Sequence, residues 1–240
     1  MRNLPGFHKK LTWQPWANTV AYYPLEDDYN DHSWNNRNPS WVWSSVSLVT
    51  STDWYKCTQF VNNSNSYLSF WNQWNVLDVS ATWVTFSFWI WDAISNTASW
   101  AYPNWIIQWN SGYNSSFFIA LDWGSGSSLK WCLQFCDEYS SIWIQTSEYV
   151  YGVTTMNMYT VTISAWWECN IYKNDNSTPI WSQTKTLSST NRFSNCYIWV
   201  NTYDSNTARR LNWKLRQIVI EKWVWAQEDR DLYYKTFIVK

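Results

Sequence analysis

Glycine is scarce in this 240-residue chain, with five residues where an ordinary chain carries about 7%, or roughly 17 in this length. Turns that need positive φ must therefore be made by residues that reach it at a cost. Histidine is scarcer still, with only His8 and His32. His8 falls in a polar lead-in and His32 in a polar loop, so a nucleophile activated by a histidine base is poorly supported. The five cysteines, Cys57, Cys132, Cys136, Cys169 and Cys196, contain no C-x-x-C pair, which leaves a thiolate zinc site few ligands. Cys132 and Cys136 would share one strand face about 13 Å apart, too far for a disulfide, and buried free thiols are expected. No apolar run approaches the roughly 18 residues of a membrane span. The opening residues also lack the continuous apolar block of a signal peptide. Neither charge sign dominates, with 17 basic against 18 acidic residues. No field therefore concentrates nucleic acid or an anionic membrane, and neither partner is expected. No P-loop or dinucleotide fingerprint is present.

Tryptophan is what the chain has instead, with 24 residues. Many sit in polar contexts that ask for glycine, such as HSWNN at Trp34, NPSWVWSS at Trp41 and Trp43, TDWYK at Trp54, and FWNQWN at Trp71 and Trp74. The same holds at Trp13, Trp16, Trp83, Trp109, Trp131, Trp166, Trp167, Trp181, Trp199, Trp213 and Trp223. Reading these seventeen positions as glycine would give 22 Gly and 7 Trp, close to ordinary usage. The expectation is a gene from a lineage that reads UGA as glycine, translated with a table that reads it as tryptophan. The alternatives are a tryptophan-rich sugar-binding face and deliberate substitution. If half of these indoles were forced left-handed, at about 1 to 2 kcal/mol each, they would consume a typical domain's stability.

Short β-rich runs separated by polar turns predict an antiparallel all-β sandwich of near ten strands. Residues 1–17 read as a polar lead-in and 18–240 as a single domain. Thr19–Leu25 opens the domain, and the polar run Glu26–Asn38 reads as a long loop. Val84–Ile90 alternates Val84, Phe86, Phe88 and Ile90 against Thr85, Ser87 and Trp89, which predicts a strand with one core face. Phe117–Leu121 and Leu129–Phe135 flank Gly124 and Gly126 as a hairpin. Tyr159–Ser164 with Cys169–Lys173 forms another, and Ser66–Phe70, Gln183–Leu187 and Cys196–Val200 add strands. The stretch from Leu211 runs as a closing strand that should pair beside Val20–Leu25. A short helix over Ala226–Phe237 follows, with Leu232, Tyr233 and Phe237 on one face and Glu228, Asp229 and Asp231 near its positive end.

The order VAYYPL, DYNDHSWNN, NSNSYLSF, VTFSFWI, YTVTIS, CNIYKND, CYIWV and NWKLRQIVIEKWVWAQEDRDLYY resembles the concanavalin-A-like, laminin-G-like jelly-roll family over nearly the whole chain. That family shows an opening Y-x-L strand, an N-D-x-S-G-N loop, an S-F-W strand, an L-Y-x-N-G hairpin, and a closing N-G-K-[IL]-D-E strand before a short helix. Trp34 and Trp213 fall where the family places glycine, and Trp89 falls where it places tryptophan; Trp225 also reads as genuine. Arg216 and Gln217 stand where the family often has Asp-Glu, which puts in doubt the polar or calcium contact such a pair supports. The resemblance implies a concanavalin-A-like jelly-roll sandwich of two antiparallel sheets with one short C-terminal helix.

Chemistry is poorly represented. Jelly-roll glucanases carry paired carboxylates as E-x-D-x-x-E on one strand, and no such pattern occurs. The expectation is a non-catalytic binding module, for carbohydrate recognition or adhesion at a cell surface, with a glycan or surface protein as partner. A structural or virion-associated protein-interaction module is the alternative, and a glucanase-type hydrolase a third reading. Sugars lie on aromatic faces flanked by amides and carboxylates, so the candidate ligand-binding residues in loop contexts are Tyr113, Asn114, Asp122, Trp123, Tyr203 and Asp204. Calcium wants six to eight oxygens, and Asp28 and Asp31 in the acidic loop are its candidates, although Asp31 could instead cap its own turn through an Asx bond.

Overall fold

A computed structural model describes residues 13–51, 53–61, 66–70, 83–91, 104–109, 117–123, 131–137, 142–149, 156–164, 168–184, 196–198 and 213–238. In chain order they form β1 (Thr19–Tyr23), β2 (Trp41–Val42), β3 (Val46–Thr50), β4 (Lys56–Phe60), β5 (Leu68–Phe70), β6 (Val84–Trp91), β7 (Asn104–Trp109) and β8 (Phe117–Trp123). These are followed by β9 (Trp131–Asp137), β10 (Ile142–Tyr149), β11 (Met156–Ile163), β12 (Glu168–Lys173), β13 (Trp181–Thr184), β14 (Cys196–Ile198), β15 (Trp213–Glu221) and the helix α1 (Gln227–Ile238). One sheet runs β13-β12-β11-β6-β15-β4-β3 with β1 also on β15, and the other runs β10-β9-β8-β7-β14-β5-β2. All the pairings among these strands are antiparallel. The result is the all-β sandwich with a single C-terminal helix that the strand pattern predicts.

The first and last strands meet as expected, with Thr19 opposite Glu221 and Tyr23 opposite Ile218. Strand β15 is long enough to serve two neighbours along its length. Its Trp213–Leu215 segment pairs with β4 and its Ile218–Glu221 segment with β1, while β6 runs beside both segments. The changeover coincides with a bulge between Arg216 and Val219, where one extra residue opposes β6. Gln217 takes the bulge's left-handed conformation, φ 53°, and its N–H is donated to Pro24 O at 2.8 Å.

Both faces of β6 are buried. Val84, Phe86, Phe88 and Ile90 join Phe60, Phe70, Ile107, Ile119, Val161, Ile198 and Ile220 in the core between the sheets. Trp89, on the opposite face, joins a second cluster with Tyr22, Met158, Val219, Trp225 and Tyr233. The helix face expected at Leu232, Tyr233 and Phe237 packs on that second cluster. At its start, Ala226 N–H is donated to Asp229 Oδ2 at 2.9 Å, a side chain reaching back to the cap. Glu228 and Asp229 in the first turn and Lys235 in the last complement the helix dipole. The buried Glu221 carboxylate accepts from Trp16 Nε1 (2.6 Å), Thr19 Oγ1 (3.0 Å) and the Trp225 indole. Burial pushes its carboxyl above the usual range, while those three donors pull it back. Cys57, Cys169 and Cys196 are buried free thiols, and burial raises all three above the usual thiol range.

Several expectations need correcting. Five further strands form, β2, β3, β4, β7 and β10; β3 keeps three of its five residues exposed, so hydrophobic patterning marks it weakly. Trp13, placed in the lead-in and among the glycine-like positions, is buried against Tyr22 and Tyr233, with ring centroids at 5.1 and 4.9 Å. Its N–H is donated to Thr236 Oγ1 at 2.8 Å, so the sandwich gathers in the chain from residue 13. Trp41, Trp109, Trp131, Trp181 and Trp213 lie in strands rather than turns. Extended backbone takes an indole without strain, and Trp54, φ 67°, is the one tryptophan among the described residues with positive φ. Among the described residues the left-handed cost therefore reduces to about 1 to 2 kcal/mol, at Trp54. Trp71, Trp74, Trp166, Trp167 and Trp199 lie outside the described residues.

The contrast between Trp54, 83% exposed, and the fully buried Trp89 is testable by denaturant unfolding. Trp54→Gly is expected to stabilise the chain by about 1 kcal/mol through relief of the left-handed strain. Trp89→Gly is expected to destabilise it by about 3 to 5 kcal/mol or more through the cavity left behind.

Candidate functional site

The polar loop that follows β1 is laced back onto that strand by its own side chains. Leu25 turns the chain with φ 57°. Asp31 then does most of the holding. Its Oδ1 accepts the N–H groups of Tyr22 (2.9 Å) and Ser33 (2.8 Å), and its Oδ2 accepts Ser33 Oγ (2.8 Å) and Arg37 N–H (2.7 Å). The bond to Ser33 N–H is an Asx turn, the capping role foreseen for this residue. Asn35 Nδ2 donates to Thr19 O and Val20 O, Arg37 Nη1 donates to Val20 O, and Tyr23 OH donates to Arg37 O at 2.6 Å. Asn38 Oδ1 accepts Asp31 N–H at 2.9 Å.

This bracing leaves a cleft of about 660 Å³, lined by Gln14, Pro15, Asp28, Asn30, Asp31, His32, Ser33, Trp34, Asn36 and Asn38. Four of these are amide side chains at exposed positions: Gln14, Asn30, Asn36 and Asn38. Asp28 is the acidic group turned outward. Its Oδ1 accepts Asn30 N–H at 2.9 Å and lies 3.0 Å from His32 Nε2. Partial burial works against the ionised form, but the Asn30 N–H and the His32 ring prevail and hold the carboxyl below its ordinary value. Trp34 stands over the rim, 82% exposed.

The two candidate calcium ligands thus share a cleft but differ in what they offer. A carboxylate has about four lone-pair sites, and four donors occupy those of Asp31. Asp28 keeps capacity toward the cleft. Among the described residues no group of three or more His, Cys, Asp and Glu side chains converges. Asp122 and Trp123 end β8 opposite Cys132 and Trp131 of β9. Tyr113, Asn114, Tyr203 and Asp204 lie outside the described residues. Sequence reasoning did not single out Gln14, Asn30, Asn36 or Asn38, because asparagine-rich loops read first as turn chemistry. For the three asparagines the available signal was their density between 26 and 38; Gln14, ahead of β1, carried none.

Arg216 and Gln217, the departure from the family pattern, are not idle. Gln217 Nε2 and Arg216 Nη2 both reach Glu26 Oε1 at 2.6 Å. Gln217 Oε1 accepts Tyr22 OH, and Gln217 O accepts Tyr233 OH. The amide and guanidinium thus read a carboxylate from the loop, where an Asp-Glu pair would itself supply the negative charge.

The architecture and this cleft define a β-sandwich module with a polar, amide-lined groove beside the opening strand. No family model matches the chain, and no curated protein matches it. Solved structures do. The binding domain of Paraclostridial Mosquitocidal Protein 1 superposes with a TM-score of 0.71 at 19% identity, over 92% of this chain and 52% of that one. The botulinum neurotoxin serotype G binding domain gives 0.67 at 14% identity, over 91% and 51%. A botulinum neurotoxin type C structure, titled for cell entry dependent upon interaction with two ganglioside molecules, gives 0.68 at 17% identity, over 91% and 51%. This chain is similar to them in fold, and it spans about half their length.

Asp31 and Asp28 should separate cleanly by urea denaturation. Asp31→Ala strands several buried donors and is expected to cost about 3 kcal/mol. Asp28→Ala, at the exposed rim, is expected to stay within about 0.5 kcal/mol of the parent.

Proposed function

We propose that this chain is a non-catalytic binding module that recognises carbohydrate through the cleft on its 26–38 loop. The carrying observation is the set of exposed amides, Gln14, Asn30, Asn36 and Asn38, beside the outward carboxylate of Asp28 in one cleft. Sugar hydroxyls need such paired donors and acceptors, and a cleft of this volume falls within the about 300 to 1,000 Å³ of small-molecule sites. The fold neighbours support a binding role: two are titled as binding domains, of a mosquitocidal protein and of a botulinum neurotoxin, and a third is titled for ganglioside interaction. We read one laminin-G-like jelly-roll domain, taking in Trp13 as well as the 18–240 expected, that works outside the cell or at its surface. Tyr113, Asn114, Asp122, Trp123, Tyr203 and Asp204 are a second proposed group of ligand contacts.

A glycan array tests the reading. The parent chain is expected to bind a restricted set of glycans, and Asp28→Asn and Asn36→Ala to weaken that binding at least about tenfold, since each leaves a polar ligand group unpaired. A blank array would transfer the chain to the protein-interaction class. The same array with calcium and with a chelator decides the calcium proposal at Asp28 and Asp31, which an unchanged signal removes.

We further propose that exposed tryptophans of this chain stand where the organism's own protein carries glycine encoded by UGA. Two observations support it. Trp89 and Trp225, which read as genuine, are fully buried, whereas Trp16, Trp34, Trp41, Trp54, Trp83 and Trp223 are exposed. Trp54 also occupies the left-handed conformation that glycine enters freely. The buried Trp13 leaves the set. Because Trp34 belongs to it, the amides and not the indole carry the carbohydrate reading. The gene is expected to show UGA at positions 34 and 54 and UGG at 89 and 225; UGG at the first two ends the proposal.

A further inference from the structure

A second cleft, of about 370 Å³, opens where the approach to β4 meets the last turn of α1, lined by Glu26, Trp54, Tyr55, Lys56, Arg216, Thr236 and Phe237. Arg216 is the unusual member. It is only 5% exposed, and its guanidinium lies 4.5 Å from the Tyr55 ring centroid and 5.9 Å from that of Trp89. One nitrogen, Nη2, is paired with Glu26 Oε1 at 2.6 Å. The other two, Nε and Nη1, are buried and have no hydrogen-bond partner among the described residues. Stacking on aromatic rings stabilises a guanidinium but does not replace missing acceptors, and buried donors of a charged group are costly to leave unmade.

We propose that this cleft binds the carboxylate of a ring-sized acidic ligand, an acidic monosaccharide. Glu26 takes one nitrogen of a fork that has five N–H donors, so an incoming carboxylate accepts from Nε or Nη1, the groups now unsatisfied. Lys56, exposed at the rim and paired with Asp27, supplies a second positive charge. Tyr55 and Phe237 offer apolar walls for the ring. The volume lies at the lower end for small-molecule sites, which suits one ring and not a chain. Trp54 is not needed: glycine there would widen the mouth.

Titration calorimetry on the whole chain tests this with glucuronate, glucose and N-acetylglycine. Glucuronate is expected to bind and glucose not to, with glucuronate at least tenfold weaker to Lys56→Glu, which alters an exposed side chain and its surface pair with Asp27, and to Arg216→Gln. Should Arg216→Gln fail to fold, Lys56→Glu decides. Binding of N-acetylglycine as tight as that of glucuronate would keep the carboxylate site but overturn the sugar. Equal binding of glucose, no binding of glucuronate, or an unaffected Lys56→Glu would overturn the whole proposal. The site is independent of the amide-lined cleft, so Asp28→Asn is expected to leave glucuronate binding unchanged; a loss there would place the ligand in the other cleft and overturn this one.

Discussion

The bulge at Gln217 is the constraint on which the rest of the structure depends. A strand edge ordinarily pairs with one neighbour, yet β15 serves β4 over Trp213–Leu215 and β1 over Ile218–Glu221. The extra residue at the changeover bends the strand and increases its twist. It also forces a side-chain-bearing residue into left-handed backbone at φ 53°, at a cost of about 1 to 2 kcal/mol. The surroundings over-determine that conformation. Gln217 engages the opening strand through Pro24 and Tyr22, the loop through Glu26, and the helix through Tyr233.

Both clefts are consequences of this arrangement. Once β1 is seated against β15, the chain must leave it through Pro24 and the left-handed Leu25, and the 26–38 loop folds back over the strand it has just left. Asp31 anchors that fold-back from within, so the loop's remaining polar side chains are presented outward. Glu26, at the loop's start, turns the other way to meet Gln217 and Arg216. The helix is set by the same junction, through Tyr233 on Gln217 and Trp225 on Glu221, and its last turn forms a wall of the Arg216 cleft. The second core cluster, where Trp13, Tyr22, Trp225, Tyr233 and Phe237 meet edge to face or tilted, joins strand and helix by aromatic packing.

Legibility followed burial. Strand β6 was readable because its two faces pack against two different things, so Val84, Phe86, Phe88 and Ile90 alternate with residues that carry their own signature. The pairing of first and last strands was readable from sandwich topology. Strands β2 and β3 were not, because most of their residues are exposed and their sequences carry little pattern. Trp13 misled for a different reason: a polar local context hides a residue that packs on Tyr22 of β1 and on Tyr233, Thr236 and Phe237 of α1, the last three more than two hundred positions away. Reading every oddly placed tryptophan as a turn failed at β2 and β13 because a strand accepts an indole as readily as a bend accepts glycine.

Sequence alone was sufficient for what depends on composition and local periodicity: an antiparallel all-β sandwich, a closing strand beside the opening one, and a short amphipathic helix after it. The roles of individual polar residues were decided only in three dimensions. Asp28 and Asp31 are the same residue type three positions apart, yet one faces the cleft and the other is consumed by four donors from its own loop and strand. Arg216 and Gln217 looked like a broken motif until Glu26 was found against both. The physical reason is that a polar group's function is set by which of its hydrogen-bonding positions remain open. Those positions are filled by backbone groups and side chains that the fold, not the local sequence, brings into reach.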